Sequence, residues 1–221
     1  MSESPRSAKI RTVALILLGI GAVAFARYGP VEPDELRALA GRLAEVPGMP
    51  VILILTQVLM YALALPGSLV LWVAAPVYPA LVASGIILAG GVMGAAVAYH
   101  IGAVLGEPTR KKYEHRAAFK VMATHGGFFT QTALRLVPGF PHSLINYSAG
   151  ILRLHRGKFL LATLLGLSVK WPLYVLAVQG LVDMGDPDAA IGRRTLAPLV
   201  ALAVLLAGGG WLARRFTPEK E

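Results

Sequence analysis

The chain has 221 residues, of which 56% are hydrophobic and only 15% are charged, and its mean hydropathy is +0.64. Soluble domains carry roughly a quarter charged residues, whereas residues 46–106 contain no Asp, Glu, Lys or Arg. This composition excludes a soluble globular domain and predicts an all-α integral membrane protein.

The formal net charge of +9 comes from basic residues in short segments between apolar runs. This pattern is typical of loops that contact anionic headgroups, so nucleic acid is not an expected partner. Cysteine is absent, which excludes a disulfide framework, a thiolate zinc site and a thiol nucleophile.

Residues 1–46 are interpreted as an N-terminal unit. Three basic residues precede an apolar run at 12–26, which we interpret as a retained first transmembrane helix. The alternative is a signal peptide, because Ala24-Phe25-Ala26 resembles a cleavage site. Residues 31–46 alternate charged and apolar side chains and predict an amphipathic interfacial helix, on the non-cytoplasmic side because it is slightly acidic.

Residues 47–182 are expected to form the main membrane domain. Its apolar sequence is interrupted first at 65–69 and again at Pro76 and Pro79. A span rich in small residues follows at 82–106, and small residues allow close helix packing in lipid. The basic stretch 107–120 is interpreted as a cytoplasmic loop with a surface helix.

The second interrupted stretch, 121–152, is too short for two full spans of about 20 residues each. It fits a re-entrant hairpin that returns to the same face, before a further span at 159–182. Residues 183–221 are expected to hold a last transmembrane helix, at 195–213, and a cytoplasmic tail. The topology is therefore about four transmembrane helices with both termini cytoplasmic, in a multi-pass protein of the cell membrane.

The two halves of the membrane domain share a plan, since each has a broken apolar hairpin followed by a full span. Leu65-Pro66-Gly67-Ser68 corresponds loosely to Val137-Pro138-Gly139-Phe140-Pro141. The charge map places the two hairpins on opposite faces, which is the inverted-repeat pattern of secondary transporters. Backbone groups freed at Pro and Gly must face protein or a wet cavity. The alternative is two ordinary proline kinks in separate spanning helices.

Arg135 is the strongest candidate for a functional residue. It is the only charged residue between 121 and 152, and an arginine within a membrane segment costs roughly 2.5–3.5 kcal/mol on insertion scales. Its planar guanidinium suits phosphate, and it lies three residues before Pro138-Gly139. We expect it to bind an anionic headgroup; the alternative is snorkelling to the interface or contact with loop carbonyls.

Asn146 follows the second break and is expected either to bind a ligand or to cap the returning helix. Lys170 lies midway along a span without an acidic neighbour; it pairs with carbonyls or helps to hold an anion. His100, His125 and His142 are proton-path candidates, each with a structural role as the alternative. The tryptophans are interpreted as interface or packing residues.

No sequence motif supports an enzyme, a metal site or a cofactor. The chain lacks H-E-x-x-H, G-x-S-x-G and P-loop patterns, and its apolar segments carry no acidic residue to serve as a general base or magnesium ligand. We therefore expect no catalytic residues.

The stretch from Arg135 to Arg153, RLVPGFPHSLINYSAGILR, resembles the signature of VTT-domain proteins. These form the SNARE-associated Golgi protein family of the DedA superfamily, and the similarity extends over about Pro66 to Gly180. The resemblance implies two facing re-entrant hairpins and lipid movement across the bilayer, with Arg135 essential. It is closest to the Golgi-type (Tvp-type) branch and suggests a bacterial inner-membrane member.

Three departures from the superfamily pattern bear on mechanism. No acidic residue follows Pro66-Gly67-Ser68, which argues against carboxylate-based proton coupling. Ala103 replaces an arginine usual near the end of the first full span, and Lys170 lies where Pro-Gly is usual. The role of Lys170 is therefore less transferable from the family.

The expected function is a lipid transporter or scramblase. The alternatives are a small-ion or solute transporter on the same scaffold, and a non-transporting membrane scaffold protein. Expected partners are the membrane and a phospholipid or polyprenyl-phosphate lipid, and a homo-oligomer is left open. The expected lipid-binding residues are Pro66, Gly67, Arg135, Pro138, Gly139, Pro141, Asn146, Gly150 and Lys170.

Overall fold

The computed structural model describes residues 33–114, 117–136 and 142–184, together with residues 197, 200, 201 and 204. Within these residues the elements are helical, with no strand. The helices are α1 (Pro33–Glu45), α2 (Met49–Ala62), α3 (Leu71–Val77), α4 (Ala80–Tyr113), α5 (Ala117–His125), α6 (Phe128–Leu136), α7 (His142–Ile151) and α8 (Arg156–Met184). A 3₁₀ turn at Gly67–Val70 precedes α3. The all-α prediction is confirmed for this part of the chain.

Among the described residues, two helices are long and apolar enough to cross a membrane. They are Ala80–Gly106 of α4 and Arg156–Val182 of α8, each 27 residues long, which at 1.5 Å per residue exceeds the roughly 30 Å hydrocarbon thickness. The predicted spans at 82–106 and 159–182 are therefore confirmed. Those predicted at 12–26 and 195–213 lie outside the described residues, apart from the few single positions between 197 and 204.

The predicted interfacial helix at 31–46 corresponds to α1. Residues 38–45 of α1 and the apolar helix α2 meet at a bend of 95°. Gly48, at the bend, has a φ of 80°, in the left-handed region that glycine adopts without a steric penalty. Together the two helices have the length and composition of one further, bent crossing.

The first broken segment, residues 49–77, comprises α2, the 3₁₀ turn and α3. The helix ends at Ala62, and Ala64 adopts a φ of 58° before Pro66, which has no backbone N–H to continue the helix. Gly67 lies against the ring of Tyr61, where a Cβ atom would overlap with ring carbons. The predicted interruption is therefore a true break in the helix, and the 3₁₀ turn after it packs against α2.

The second broken segment, residues 117–151, comprises α5, α6 and α7. Its central residues, 137–141, lie outside the described residues, so the structure does not place Pro138, Gly139 and Pro141. After α7 the chain turns at Arg153, which has a φ of 50°, and enters α8. Both segments pack on α4, which makes this span the centre of the fold.

Glycines on α4 and α7 allow these contacts. A Cβ atom on Gly90 or Gly94 of α4 would collide with Gln57 or Tyr61 of α2. At Gly150 of α7 it would overlap with the carbonyl oxygen of Tyr99. Small residues thus bring helices into backbone contact, as expected where van der Waals packing drives association in lipid.

Two apolar clusters lie at different levels of the bundle. The first contains Leu53, Ile87 and Trp171 among others, and the second contains Tyr99, Ile145 and Phe159 among others. The bundle's two ends are named here by residues of α8. At the Gln179 end, that side chain donates to the carbonyl oxygens of Ala75 and Tyr78, before α4. At the Arg156 end, the guanidinium of Arg156 lies over the ring of Tyr99 of α4.

Candidate anion-binding site between the broken segments

Arg135 is buried in the last turn of α6, with 1% of its surface exposed. Its Nη1 donates to the carbonyl oxygen of Gln131 at 3.0 Å, and its Nη2 donates to Oδ1 of Asn146 at 3.3 Å. The guanidinium carbon lies 4.8 Å from the ring centroid of Phe159. Gly166 of α8 makes room, since a Cβ atom there would lie 2.8 Å from Cβ of Arg135.

These contacts hold the guanidinium but do not balance its charge. An arginine has five N–H donors, and within the described residues its bonds go to one carbonyl and one amide. Residues 121–152 contain no Asp or Glu. A buried charge without a counter-charge is costly unless an anion or water compensates for it.

Lys170 supplies a second buried cation from the middle of α8. It is 3% exposed, and its Nζ lies 2.9 Å from Nε2 of His142, the first residue of α7. The rings of Tyr174 and Trp171 lie 5.1 and 5.9 Å from Nζ, which allows cation–π attraction. Within the described residues the hydrogen bond of Lys170 goes to a histidine, and not to the backbone carbonyls that formed one of its two predicted roles.

The two cations and both broken segments share one region. His142 lies near both Arg135 and Lys170, and Tyr61 of α2 lies near Arg135. A direct bond joins the segments nearby, where Oη of Tyr147 donates to the carbonyl oxygen of Ala62 at 2.5 Å. The structure therefore brings Arg135, His142 and Lys170 together, beside the end of α2.

Several buried polar atoms around these cations make no hydrogen bond within the described residues. They include both donors and acceptors: Gln131 Oε1, Asn146 Nδ2, Ser148 Oγ and Trp171 Nε1. Gln57 and Tyr61 lie one turn apart on α2, with their side chains close together. The buried polar atoms of both form no hydrogen bond within the described residues. Buried polar groups normally have partners, so a cluster of this kind is typical of a region that binds a polar ligand or water.

The position of Asn146 settles one alternative. It lies in the middle of α7, not at its start, so the prediction that it caps the helix is wrong. Its Oδ1 accepts from Arg135, and its Nδ2 is a donor without a partner among the described residues. Such a donor next to a guanidinium suits an oxyanion.

Other predicted residues lie away from the cations. His100 is exposed on α4 and bonds the carbonyl of Ala96, and His125 is exposed beside Thr124. The structure thus brings only His142 of the three histidines to the buried cations. Pro66 is exposed at the first break. Gly150 packs α7 on α4 at the Arg156 end, so its contacts are structural.

Sequence reasoning missed Gln57, Tyr61, Gln131 and Trp171. Gln57 and Tyr61 carried a signal, because they are polar residues four positions apart in a run without charges, and this spacing places them on one helix face. Among the described residues no group of His, Asp and Glu has the arrangement of a metal site.

Comparison with known proteins gives one match. The family model of the VTT domain matches residues 65–180, more than half of the chain. The matched region includes the first break, Arg135, Asn146 and Lys170. No curated protein and no solved structure matches.

Proposed function

Because the chain belongs to the VTT-domain family, we propose that it is a lipid transporter or scramblase that binds an anionic headgroup phosphate between two re-entrant hairpins. The observation that carries the proposal is the pair of buried cations, Arg135 and Lys170. Apolar stretches of the sequence without any acidic residue surround both. A phosphate is the anion that a membrane supplies in quantity.

The first broken segment is the first proposed hairpin. Helix α2 runs parallel to α4, since Gln57 lies against Gly90 and Tyr61 against Gly94. Helix α3 then returns to contact α1, next to the point where α2 began. We interpret residues 49–77 as entering and leaving on the Gln179 side, with the tip near residues 62–66.

The second broken segment is the proposed counterpart from the Arg156 side. Gly126, before α6, lies against Leu154 after α7, so the start of α6 and the end of α7 are at one level. Further in, Arg135 contacts Gly166, and His142 contacts Lys170. Helices α6 and α8 therefore run in the same direction, away from the Arg156 end, and α7 returns the chain to that end.

The proposed orientation follows from charge. The Arg156 end carries Lys111, Lys120, Arg153, Arg156 and Lys158, all exposed. Basic loops favour the cytoplasmic side, so we place this end in the cytoplasm. With the spans proposed at 12–26 and 195–213, four helices would cross the cell membrane, which we take to be a bacterial inner membrane, and both termini would be cytoplasmic.

The proposed mechanism uses the cations to lower the cost of moving a charge through the bilayer. A phosphate between Arg135 and Lys170 exchanges water for charge-assisted hydrogen bonds. Asn146 Nδ2 and Trp171 Nε1 supply neutral donors nearby. The acyl chains stay in lipid, against outward-facing apolar residues such as Leu164 and Leu165. Opposed hairpins expose the headgroup to either side with little movement of the spans.

Reconstitution tests the proposal. Liposomes containing phosphatidylglycerol with a fluorescent headgroup would be treated with a membrane-impermeant reductant, and the fraction of protected label would be followed over time. We expect the wild-type protein to expose inner-leaflet label, and Arg135→Ala to reduce the rate towards that of empty liposomes. The control is Lys120→Ala, which removes an exposed cation. Equal rates for wild type and Arg135→Ala would contradict the mechanism.

The same liposomes separate the other readings. A solute transporter on this scaffold would release entrapped inorganic phosphate without moving lipid. A scaffold protein would do neither. Phosphate release without lipid movement, or the absence of both, would overturn the proposed lipid transport.

A further inference from the structure

A second basic feature lies outside the buried region, at the Arg156 end. A cavity of about 460 Å³ opens between the end of the α4 span and the start of α8. Its lining includes His100, Arg153, His155 and Arg156, with Tyr99 at its wall, and none of the described lining residues is acidic. We propose that this cavity is a second anion site, which takes the phosphate headgroup of a lipid in the adjoining leaflet.

The side chains of the cavity are held in place by the fold. Oη of Tyr99 donates to the carbonyl oxygen of Leu154 at 2.5 Å, and the guanidinium of Arg156 lies 5.9 Å from the centroid of the Tyr99 ring. Nδ1 of His155 accepts from the backbone N–H of Lys158 at 3.3 Å, which leaves Nε2 of His155 as the donor. The cavity is therefore a concave surface in which Tyr99 forms a fixed wall and His155 and Arg156 have defined contacts.

The backbone of Arg153 strengthens this assignment. Arg153 has a φ of 50°, which L residues rarely adopt, and its N–H donates to the carbonyl of Gly150 at 2.9 Å. Asn or Gly would suit a left-handed turn better. This left-handed residue ends α7, with the N–H of Leu154 bonded to the carbonyl of Ala149, and an arginine there keeps a cation at the cavity rim.

The surroundings favour a lipid over a soluble anion. Val104, which lines the cavity, is 87% exposed, and Leu105 next to it is 44% exposed. Both lie at the last turn of the span before Gly106, where the hydrocarbon region gives way to headgroups. An amphiphile would place its phosphate among the arginines and its chains along these apolar residues.

Phe159 separates the cavity from the buried cations. Its ring centroid lies 5.1 Å from that of Tyr99 on one side, and the Arg135 guanidinium lies 4.8 Å from it on the other. The surface site is thus one aromatic layer away from Arg135. Its occupancy does not depend on transport, so it can be tested separately.

The chain has no cysteine, so Val104→Cys can carry a single environment-sensitive fluorophore. The labelled protein in non-ionic detergent would be titrated with dihexanoyl-phosphatidylglycerol and, separately, with dihexanoyl-phosphatidylcholine. We expect a saturable change with the anionic lipid. Arg153→Gly combined with Arg156→Gln should weaken its binding roughly tenfold or more, since each removes a charged hydrogen-bond donor. Glycine preserves the left-handed turn at 153.

The controls separate this site from the buried one. Lys111→Gln with Lys120→Gln removes two exposed cations elsewhere and should leave the titration unchanged. Arg135→Ala should also leave it unchanged, even if it abolishes lipid movement. A response that does not saturate, that is equal for both lipids, or that survives the double arginine variant would overturn the proposal. If inorganic phosphate competed for the site as effectively as the anionic lipid, the assignment of the site to a lipid would be wrong.

Discussion

Nζ of Lys170 lies 2.9 Å from Nε2 of His142, although the two residues are 28 positions apart and belong to different helices. One nitrogen of such a pair must accept the hydrogen bond, so the pair cannot be fully protonated in this geometry. The pair still carries one positive charge when the protonated lysine donates to the neutral imidazole, and Arg135 lies nearby. The contact therefore ties the start of α7 to α8 and concentrates positive charge beside the second break.

Replacing Lys170 with glutamine should reduce the preference for anionic lipids. The variant keeps a hydrogen-bond donor near His142 but removes the charge. A hydrogen bond to a charged group contributes about 1.5–3 kcal/mol, so the ratio of phosphatidylglycerol to phosphatidylcholine movement should fall roughly tenfold or more. The headgroup-accessibility assay measures it. Lys158→Gln, which removes an exposed cation on the same helix, is the control, and an unchanged ratio in Lys170→Gln would exclude this role.

Asn146 and Ile145 provide a test of whether water reaches the polar region. Both are buried on α7, at 2% and 0% exposure, but Ile145 belongs to the second apolar cluster. With no native cysteine, each can be replaced by a single cysteine. We expect a charged, membrane-impermeant thiol reagent to modify Asn146→Cys and to react much more slowly with Ile145→Cys. Equal protection of the two would show that the region is dry.

Gly102→Ala should destabilise the bundle, because the added Cβ would meet the backbone of Tyr147. Overpacking of this kind typically costs about 1–3 kcal/mol, and the midpoint of thermal unfolding in detergent would report it. Gly85→Ala is the matched control on the same helix, since a Cβ there meets nothing within 4 Å. If both variants unfold at the same temperature, the close approach of α4 and α7 is incorrect.

Tyr147→Phe should loosen the contact between the two broken segments, since it removes the bond to the carbonyl of Ala62. The expected loss is about 1 kcal/mol, with faster amide hydrogen exchange near residues 62–66. Tyr78→Phe is the comparison, because its buried hydroxyl makes no hydrogen bond within the described residues. Removing that hydroxyl should cost less, and the reverse order would argue against a junction at Tyr147.

Much of the fold was predictable because lipid imposes strong constraints on sequence. The two described spans agree with the predicted ones to within about three residues, since Pro79 marks the start of the first and charged residues mark the other limits. The first break was predictable from Pro66 and Gly67. Arg135 was predictable as a candidate site residue because a charge within an apolar membrane segment is costly unless a partner or a cavity compensates for it.

The arrangement of the polar residues was not predictable, because it depends on which helix faces meet. The sequence does not show that Lys170 reaches His142, or that Tyr147 reaches Ala62. The sequence suits Asn146 equally to ligand binding and to helix capping, and only the start of α7 at His142 excludes capping. Gln57 could have been found from its polarity alone, but its closeness to Gly90 and Gly91 depends on the packing of α2 on α4.

Native mass spectrometry of the purified protein tests the central claim most directly. To remove the contribution of the surface cavity, the protein with Arg135 and the Arg135→Ala variant would be compared in a common background that carries Arg153→Gly and Arg156→Gln. The account predicts that a bound anionic phospholipid or polyprenyl phosphate is retained when Arg135 is present and is largely lost in Arg135→Ala. Equal retention of the same lipid by both proteins would contradict a phosphate site at Arg135.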